Sequence, residues 1–250
     1  MTPLRILVTR PQRHQQPLID ALVQQGWFAI GQPLLEISAS PEIESLAMSQ
    51  HQLARFQFII AISDNAVRYA NNWLKQQHLS WPNQAQYLAV GKNTADCWQQ
   101  LAQVNACYPE SADSEGLIAM PALQAIDQSE ILILKGNAGR DLIASSLQKA
   151  GAKVTEVSTY QRLPIPLSQS ETLTKWQQNH INSVIITSGE ILFALINVVP
   201  NHERNWLFKL NLIVISQRIA KLAREAGFIK VWIAQGASQS ALIQCLHNIE

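Results

Sequence analysis

The sequence predicts an α/β protein of two similar doubly wound parallel-sheet domains related by an internal duplication. Three observations carry this. Short apolar runs alternate with stretches of helical periodicity along the whole chain, the pattern of strands buried in parallel sheets and covered by crossover helices. A set of residues recurs at one fixed offset. Two extended segments stand at equivalent places in the two halves, where the chain can cross from one domain to the other.

The repeat is read directly from the residues. Ile131-Leu132 repeats Ile6-Leu7 at an offset of 125, which is 131 minus 6. The same offset pairs Leu22 with Leu147, Gly26 with Gly151, Ser63 with Ser188, Trp81 with Trp206, Ala95 with Ala220, and Leu117-Ile118 with Leu242-Ile243. The offset is half of the 250 residues, so the two halves align with no net gap.

In chain order, Leu4 to Thr9 is a buried strand, and Arg10-Pro11 opens a helix that ends at Gly26. Phe28 to Ile37 is extended, with Pro33 turning part of it into an edge or connector. Ser40-Pro41-Glu42 has the marks of a helix start: a capping serine, proline at the first position and an acid in the first turn. Phe56 to Ile62 is a strand, after which Ser63-Asp64-Asn65 caps a helix. Tyr87 to Val90 leads through Gly91-Lys92-Asn93-Thr94 into the next helix. A short strand around 106–108 precedes Ser114-Glu115-Gly116 and a helix to about Gln124. The second half repeats this order. Ile131 to Leu134 is a strand; the helix after it carries Ile143, Leu147 and Ala150 at i, i+4 and i+7 and stops at Gly151, which takes a left-handed cap at no steric cost. Strands follow at 153–157, 183–187, 211–215 and 229–233, each with a connector or helix behind it.

The crossings are expected near 35–41 and 160–166, the second carrying Pro164 and Pro166. They divide the chain into a discontinuous first domain, 1–37 with 165–250, and a second domain, 38–164. The repeat also accommodates two sequential domains.

Composition excludes several functions. A formal net charge of +1 gives no global field for nucleic acid or an anionic membrane, so an anionic ligand needs a local cationic site. No secretory signal and no apolar run of membrane-spanning length is visible, and a cytoplasmic protein is expected. Cys97, Cys107 and Cys245 lack the spacing of a disulfide framework or a zinc site. The six histidines, His14, His51, His78, His180, His202 and His247, show no metal-binding spacing. Neither a dinucleotide fingerprint, a phosphate loop nor a nucleophile elbow is present; Lys135-Gly136-Asn137-Ala138-Gly139-Arg140 is only loosely similar to a phosphate cradle.

Six strand-to-helix turns remain, rich in hydroxyls, amides and cations: Thr9-Arg10, Ser63-Asp64-Asn65, Gly91 to Thr94, Lys135 to Arg140, Thr187-Ser188-Gly189 and Ser216-Gln217-Arg218. Helix N-termini present free N–H groups, so each is a potential carboxylate or phosphate site. Taken singly, Ser63, Ser188 and Thr94 are better accounted for by helix capping. Strand packing accounts for Tyr160 taken singly, although it sits beside a crossing and next to Arg162.

At these residues the chain resembles the uroporphyrinogen-III synthase family. The matching pieces are Ile6-Leu7-Val8-Thr9-Arg10-Pro11, Ala89-Val90-Gly91-Lys92-Asn93-Thr94-Ala95, Ser114-Glu115-Gly116-Leu117, Gly136-x-x-Gly139-Arg140, Tyr160-x-Arg162 and Ile186-Thr187-Ser188, spread over almost the whole chain in family order. It departs at Ile62-Ser63, where the family often has Thr-Ser, and at Ser216 to Ala220, where the family's Gly-x-x-Thr-Ala has become a run with Ile219 in the threonine's place. The resemblance implies two α/β domains joined by a two-stranded connector, a flexible cleft between them, and a cofactor-free, metal-free lyase that closes hydroxymethylbilane with loss of water and inversion of the last pyrrole ring. The substrate is a tetrapyrrole with multiple carboxylates, and a monomer without nucleic-acid or membrane partners is expected. Tyr160 is the implied catalytic residue, donating to the departing hydroxide. The implied substrate-binding residues are Arg10, Ser63, Asn65, Gly91, Asn93, Thr94, Lys135, Gly139, Arg140, Arg162, Thr187, Ser188, Ser216 and Arg218. The alternative is a cytosolic two-lobed binding protein for a polyanion, which closes by a hinge and performs no reaction.

Overall fold

The computed structural model describes residues 3–46, 49–137 and 141–249. It divides into two compact units: Met1–Glu36 with Leu163–Glu250, and Ile37–Arg162. The described residues contain ten strands: β1 Arg5–Val8, β2 Phe28–Gly31, β3 Leu35–Ala39, β4 Phe58–Ala61, β5 Gln86–Ala89, β6 Glu130–Gly136, β7 Lys153–Pro164, β8 Ser183–Ile186, β9 Asn211–Val214 and β10 Lys230–Ile233.

The first unit holds a five-stranded sheet in the order β10-β9-β8-β1-β2, every pair parallel. Its central strands are buried on both faces, which is why they read as unbroken apolar runs. Side chains alternate across the sheet: Leu7, Val184, Ile186, Leu212 and Val214 pack with Trp176, Leu192, Leu195 and Ala220 on one face. Ile6, Val8, Ile185 and Ile213 pack with Leu18, Leu22, Leu242 and Leu246 on the other. The second unit's sheet runs β3-β7-β6-β4-β5. Ile59, Ala61, Leu132 and Leu134 meet Ala66, Val67, Leu74 and Trp98 on one face, while Ile60, Leu88, Ile131 and Ile133 meet Leu117, Ile143 and Leu147 on the other. The chain passes between the units at 36/37 and 162/163, on β3 and β7, which are neighbours in this sheet.

The duplication is present at the level of individual residue pairs. Arg5 faces Phe28 and Glu130 faces Lys153; Ile6 faces Ser183 and Ile131 faces Phe58; Ser183 faces Asn211 and Phe58 faces Gln86. Each second pair is the first moved by 125 residues. Helix caps obey the same shift: Ser63 and Ser188 accept from the N–H three residues on, as do Asp113 and Ser238. Gly26 and Gly151 both adopt left-handed backbone, at φ 85° and 88°.

Several local expectations are corrected. The strand expected at 106–108 shrinks to one bridge, Leu88 with Cys107, in the place that β10 occupies in the first unit. The helix expected to reach about Gln124 stops at Ile118, because Pro121 holds Met120 extended (ψ 137°), and a 3-10 turn Pro121–Leu123 follows. The starts read at Arg10-Pro11 and at Pro41 are 3-10 turns, Gln12–His14 and Pro41–Leu46, the first preceding an α-helix at Gln16–Gln24. The long extended segment 28–37 is two strands, broken at 32–34 around Pro33.

The two left-handed glycines give a test of the repeat. A Cβ on Gly26 meets nothing within 4 Å, whereas one on Gly151 collides with Asp127 Oδ1. Gly26→Ala is expected to cost about 1–2 kcal/mol from backbone conformation alone, and Gly151→Ala more, since Asp127 must also move. Urea denaturation of the two variants, giving equal losses, would contradict this.

Candidate functional site

Parallel strands send all their carboxyl ends to one edge of the sheet, and ligands of open α/β sheets bind there, at the point where strand order reverses. In the first unit this edge carries the turns after β1, β8 and β9, and so collects Thr9-Arg10, Thr187-Ser188 and Ser216-Arg218. The Thr9 hydroxyl is fully buried and donates to the Ile185 carbonyl at 2.7 Å, tying β1 to β8. Gln15 donates from Nε2 to the carbonyls of Val8 (3.2 Å) and Arg10 (2.6 Å), fixing the turn after β1. Gly31 makes room for Gln15, since a Cβ there would meet its Oε1. The Arg10 guanidinium donates to the Ala237 carbonyl, and partial burial pulls its pKa below the ordinary arginine value. Ser188 and Ser216 accept from the N–H groups of Ile191 (3.2 Å) and Ile219 (3.4 Å). Arg218 is exposed and has no hydrogen-bond or ion-pair partner among the described residues; its Nη1 lies beside Gly189.

In the second unit the same edge carries Ser63, Gly91, Gly136 and Tyr160. Tyr160, on β7, is 3% exposed. Its ring passes over Gly136 at the end of β6, the intervening strand, and the phenol oxygen accepts from Ser63 Oγ at 3.1 Å on the far side, next to β4. Neighbouring strands lie about 4.8 Å apart, so this reach is open only if the strand between carries no side chain at that point. Arg162 Nη2 is a second donor to the phenol oxygen, also at 3.1 Å, with its guanidinium carbon 5.4 Å from the ring centre. Tyr69 stacks on the Tyr160 ring (centroids 6.1 Å, planes at 22°) and is itself anchored to the Ile37 carbonyl. Ser63 also caps the helix Asp64–Gln76 by accepting from Ala66 N–H at 3.1 Å.

The other expected residues divide. Asn65 is buried in the first turn of that helix. Gly91 is the N-cap of the helix Lys92–Ala102 and brings no side-chain bond, so nothing from the cap claims the first N–H groups; Asn93 is exposed there. Thr94 is not a cap: it is buried one turn in, and the Gly91 carbonyl accepts its N–H. The Lys135 ammonium is already held by Glu156 (2.8 Å) and Asp141 (3.4 Å). Burial opposes its charge, yet the two carboxylates outweigh this and raise its pKa. Gly139 and Arg140 lie outside the described residues. No group of three or more His, Cys, Asp or Glu side chains among the described residues is placed to hold a metal ion. Two residues beside Tyr160 are not among the expected site residues: Gly136, read only within the Lys135–Arg140 turn and the piece Gly136-x-x-Gly139-Arg140, and Thr159, whose buried hydroxyl donates to the carbonyls of Ala66 (3.2 Å) and Lys135 (3.3 Å). Thr159 has no sequence signal beyond its place next to the phenol, whereas Gly136 stands at a strand end and opens that piece.

Residues 16–244 match the family model described as uroporphyrinogen-III synthase HemD. The chain is 36% identical over 245 residues to the uroporphyrinogen-III synthase of Escherichia coli K12, covering 97% of this chain and all of that one. It is 33% identical to that of Salmonella typhimurium over the same shares. Among solved structures, a mutant uroporphyrinogen III synthase of Thermus thermophilus superposes with a TM-score of 0.67 at 16% identity, covering 98% of each chain. The Helicobacter pylori enzyme gives 0.66 at 17%, covering 99% of this chain and all of that one.

The equivalent serines separate capping from any other role. Ser63→Ala and Ser188→Ala each lose one capping bond and are expected to destabilise by about 1 kcal/mol, read by urea denaturation. A loss at Ser63 several times larger than at Ser188 would mean that the phenol contact dominates its stability role.

Proposed function

The chain belongs to the uroporphyrinogen-III synthase family, and from that premise we propose that it cyclises hydroxymethylbilane to uroporphyrinogen III, with loss of water and inversion of ring D. The reaction asks little of acid–base machinery. The hydroxymethyl carbon–oxygen bond breaks readily, because the cation left behind is delocalised over its pyrrole. The substrate also closes unaided without inversion. The protein must therefore hold a flexible tetrapyrrole so that the substituted carbon of ring D attacks, through a spiro intermediate, in place of the unsubstituted one. That is catalysis by orientation.

The observation that carries the residue assignment is the phenol of Tyr160. Its oxygen accepts from both Ser63 and Arg162, so its remaining capacity is as a donor. We assign its proton to the departing hydroxyl: the carbon–oxygen bond breaks, its electron pair leaves with oxygen, and the phenol hydrogen bond strengthens as charge develops there. The guanidinium of Arg162 favours any negative charge that builds on the phenol oxygen as its proton moves. Arg10, Arg218 and the helix N-termini at Ser63, Gly91, Ser188 and Ser216 are assigned to substrate carboxylates. Lys135 is left out of that set, since two carboxylates occupy it.

Incubation with hydroxymethylbilane followed by isomer analysis tests the function: ring-inverted product is expected, and the uninverted isomer alone, formed at the unassisted rate, overturns it. Tyr160→Phe should lower turnover by less than the roughly 10²–10³-fold that one preorganised donor contributes at an oxyanion, because this leaving group departs easily; the melting temperature should also fall, since Ser63 and Arg162 lose the buried oxygen they donate to. A Phe variant of full activity removes Tyr160 from the chemistry and leaves the orientation mechanism standing. Arg218→Ala should raise KM by about tenfold, the equivalent of about 1.4 kcal/mol for one charge-assisted bond, with kcat little changed; a fall in kcat at constant KM would place Arg218 in the reacting centre.

A further inference from the structure

We propose that Gly136 and Thr159 are positioning residues that together set the phenol of Tyr160: Thr159 pins a one-residue bulge in β7, and Gly136 leaves open the space into which the ring then falls. The inference rests on the assignment of Tyr160 above.

Pairing of β6 with β7 is regular from Glu130 opposite Lys153 to Lys135 opposite Ser158, and then slips, so that Gly136 faces Tyr160. Thr159 is left without a partner on β6. The slip decides which way the phenol points. Side chains alternate along a strand, so residues three apart lie on opposite faces. Val157 packs in the cluster with Ala66, Leu134 and Trp98, and a regular strand would aim Tyr160 away from it. Tyr160 is nevertheless in that cluster. One extra residue restores the parity, which is what a bulge beside a functional site does.

Thr159 holds the extra residue in place. It is fully buried, its hydroxyl is shared between the carbonyls of Lys135 on β6 and Ala66 on the helix Asp64–Gln76, and its carbonyl accepts from Ser40 N–H at 3.2 Å. Each side of the bulge is thus tied to a different element. Gly136 completes the arrangement. A Cβ there would lie 2.7 Å from Tyr160 Cζ and 2.9 Å from its oxygen, closer than van der Waals contact permits. The obstructed atoms are the far end of a side chain, so an alanine at 136 displaces the phenol from Ser63 and Arg162 and leaves the backbone in place.

The test labels the chain with 3-fluorotyrosine and identifies the Tyr160 fluorine resonance by its loss in Tyr160→Phe. That resonance is expected to move in Gly136→Ala and in Thr159→Val, and to return to its original position in Thr159→Ser, which keeps the hydroxyl. Unlabelled Gly136→Ala should lose turnover by about tenfold, within the range for one misplaced donor, with KM within about twofold, and should lose little further when added to Tyr160→Phe. A fluorine resonance unmoved in both variants overturns the proposal. So does a Gly136→Ala loss of equal size with Tyr160 present and in the Tyr160→Phe background, when Tyr160→Phe itself impairs turnover. A resonance that moves while Tyr160→Phe stays fully active supports the placement by Gly136 and Thr159 and defeats only the donor assignment. Melting temperatures of all variants separate displacement of the ring from unfolding of its unit.

Discussion

A strand that pairs parallel to its neighbour must be carried back over the sheet before the next can begin, so every turn that leaves a carboxyl end emerges on the same edge. Each unit is built under this constraint. It explains why the hydroxyls, amides and cations of the chain, scattered in sequence from Thr9 to Arg218, are gathered on one edge of each sheet. It also explains the composition of the strands: buried on both faces by crossover helices, Leu7, Ile60, Leu132 and Ile185 are all fully buried. The polar residues that remain on these strands sit at the ends, where the backbone turns and where a ligand has access to N–H groups not yet claimed by a helix.

Much of the fold was legible because of that doubly buried character. Unbroken apolar runs at Ile131–Leu134 and at 58–62 could not be mistaken for amphipathic helix, and the offset of 125 reappears as matching register of the shared pairs in the two sheets. The ends of elements were less legible, for definite reasons. The strand read as ending at Leu134 runs on to Gly136, and the one read as ending at Val157 runs on to Pro164. Lys135 and the polar segment from Ser158 lack the apolar signal of a strand buried on both faces. At the site, Thr94 was open to a capping reading, whereas the cap is Gly91, a residue with no side chain to announce it. Lys135 looked like a free cation because its partners, Asp141 and Glu156, are 6 and 21 residues away. The slip opposite Gly136 has no compositional signature at all, since it is a statement about pairing between two strands.

The second unit concentrates polar contacts within a few ångströms of an otherwise apolar cluster. Tyr160 is 3% exposed and Thr159 fully buried, a placement that costs free energy unless hydrogen bonds are retained. They are retained with little redundancy. Thr159 serves two carbonyls with one hydroxyl, and Ser63 accepts from a helix N–H while donating to the phenol. A network of this kind ties the direction of one ring to two strands and the first turn of a helix, so the phenol is held by the sheet and does not depend on a mobile loop.

Duplication supplies two equal frames, and the 125-residue shift shows that they have been used differently. Ser63 and Ser188 keep the same cap, and Arg10 and Lys135 stand at equivalent positions. Tyr160 and Thr159, however, correspond to Leu35 and Leu34, which are buried apolar residues, and Gly136 corresponds to Pro11. The first unit therefore has no means of carrying a phenol across its central strand. What it has in exchange is a cation without a carboxylate partner among the described residues, Arg218, at the position of Asn93, while Lys135 in the second unit is neutralised by two acids. The difference lies in a handful of side chains at strand ends, above strands whose shared pairs keep the same register.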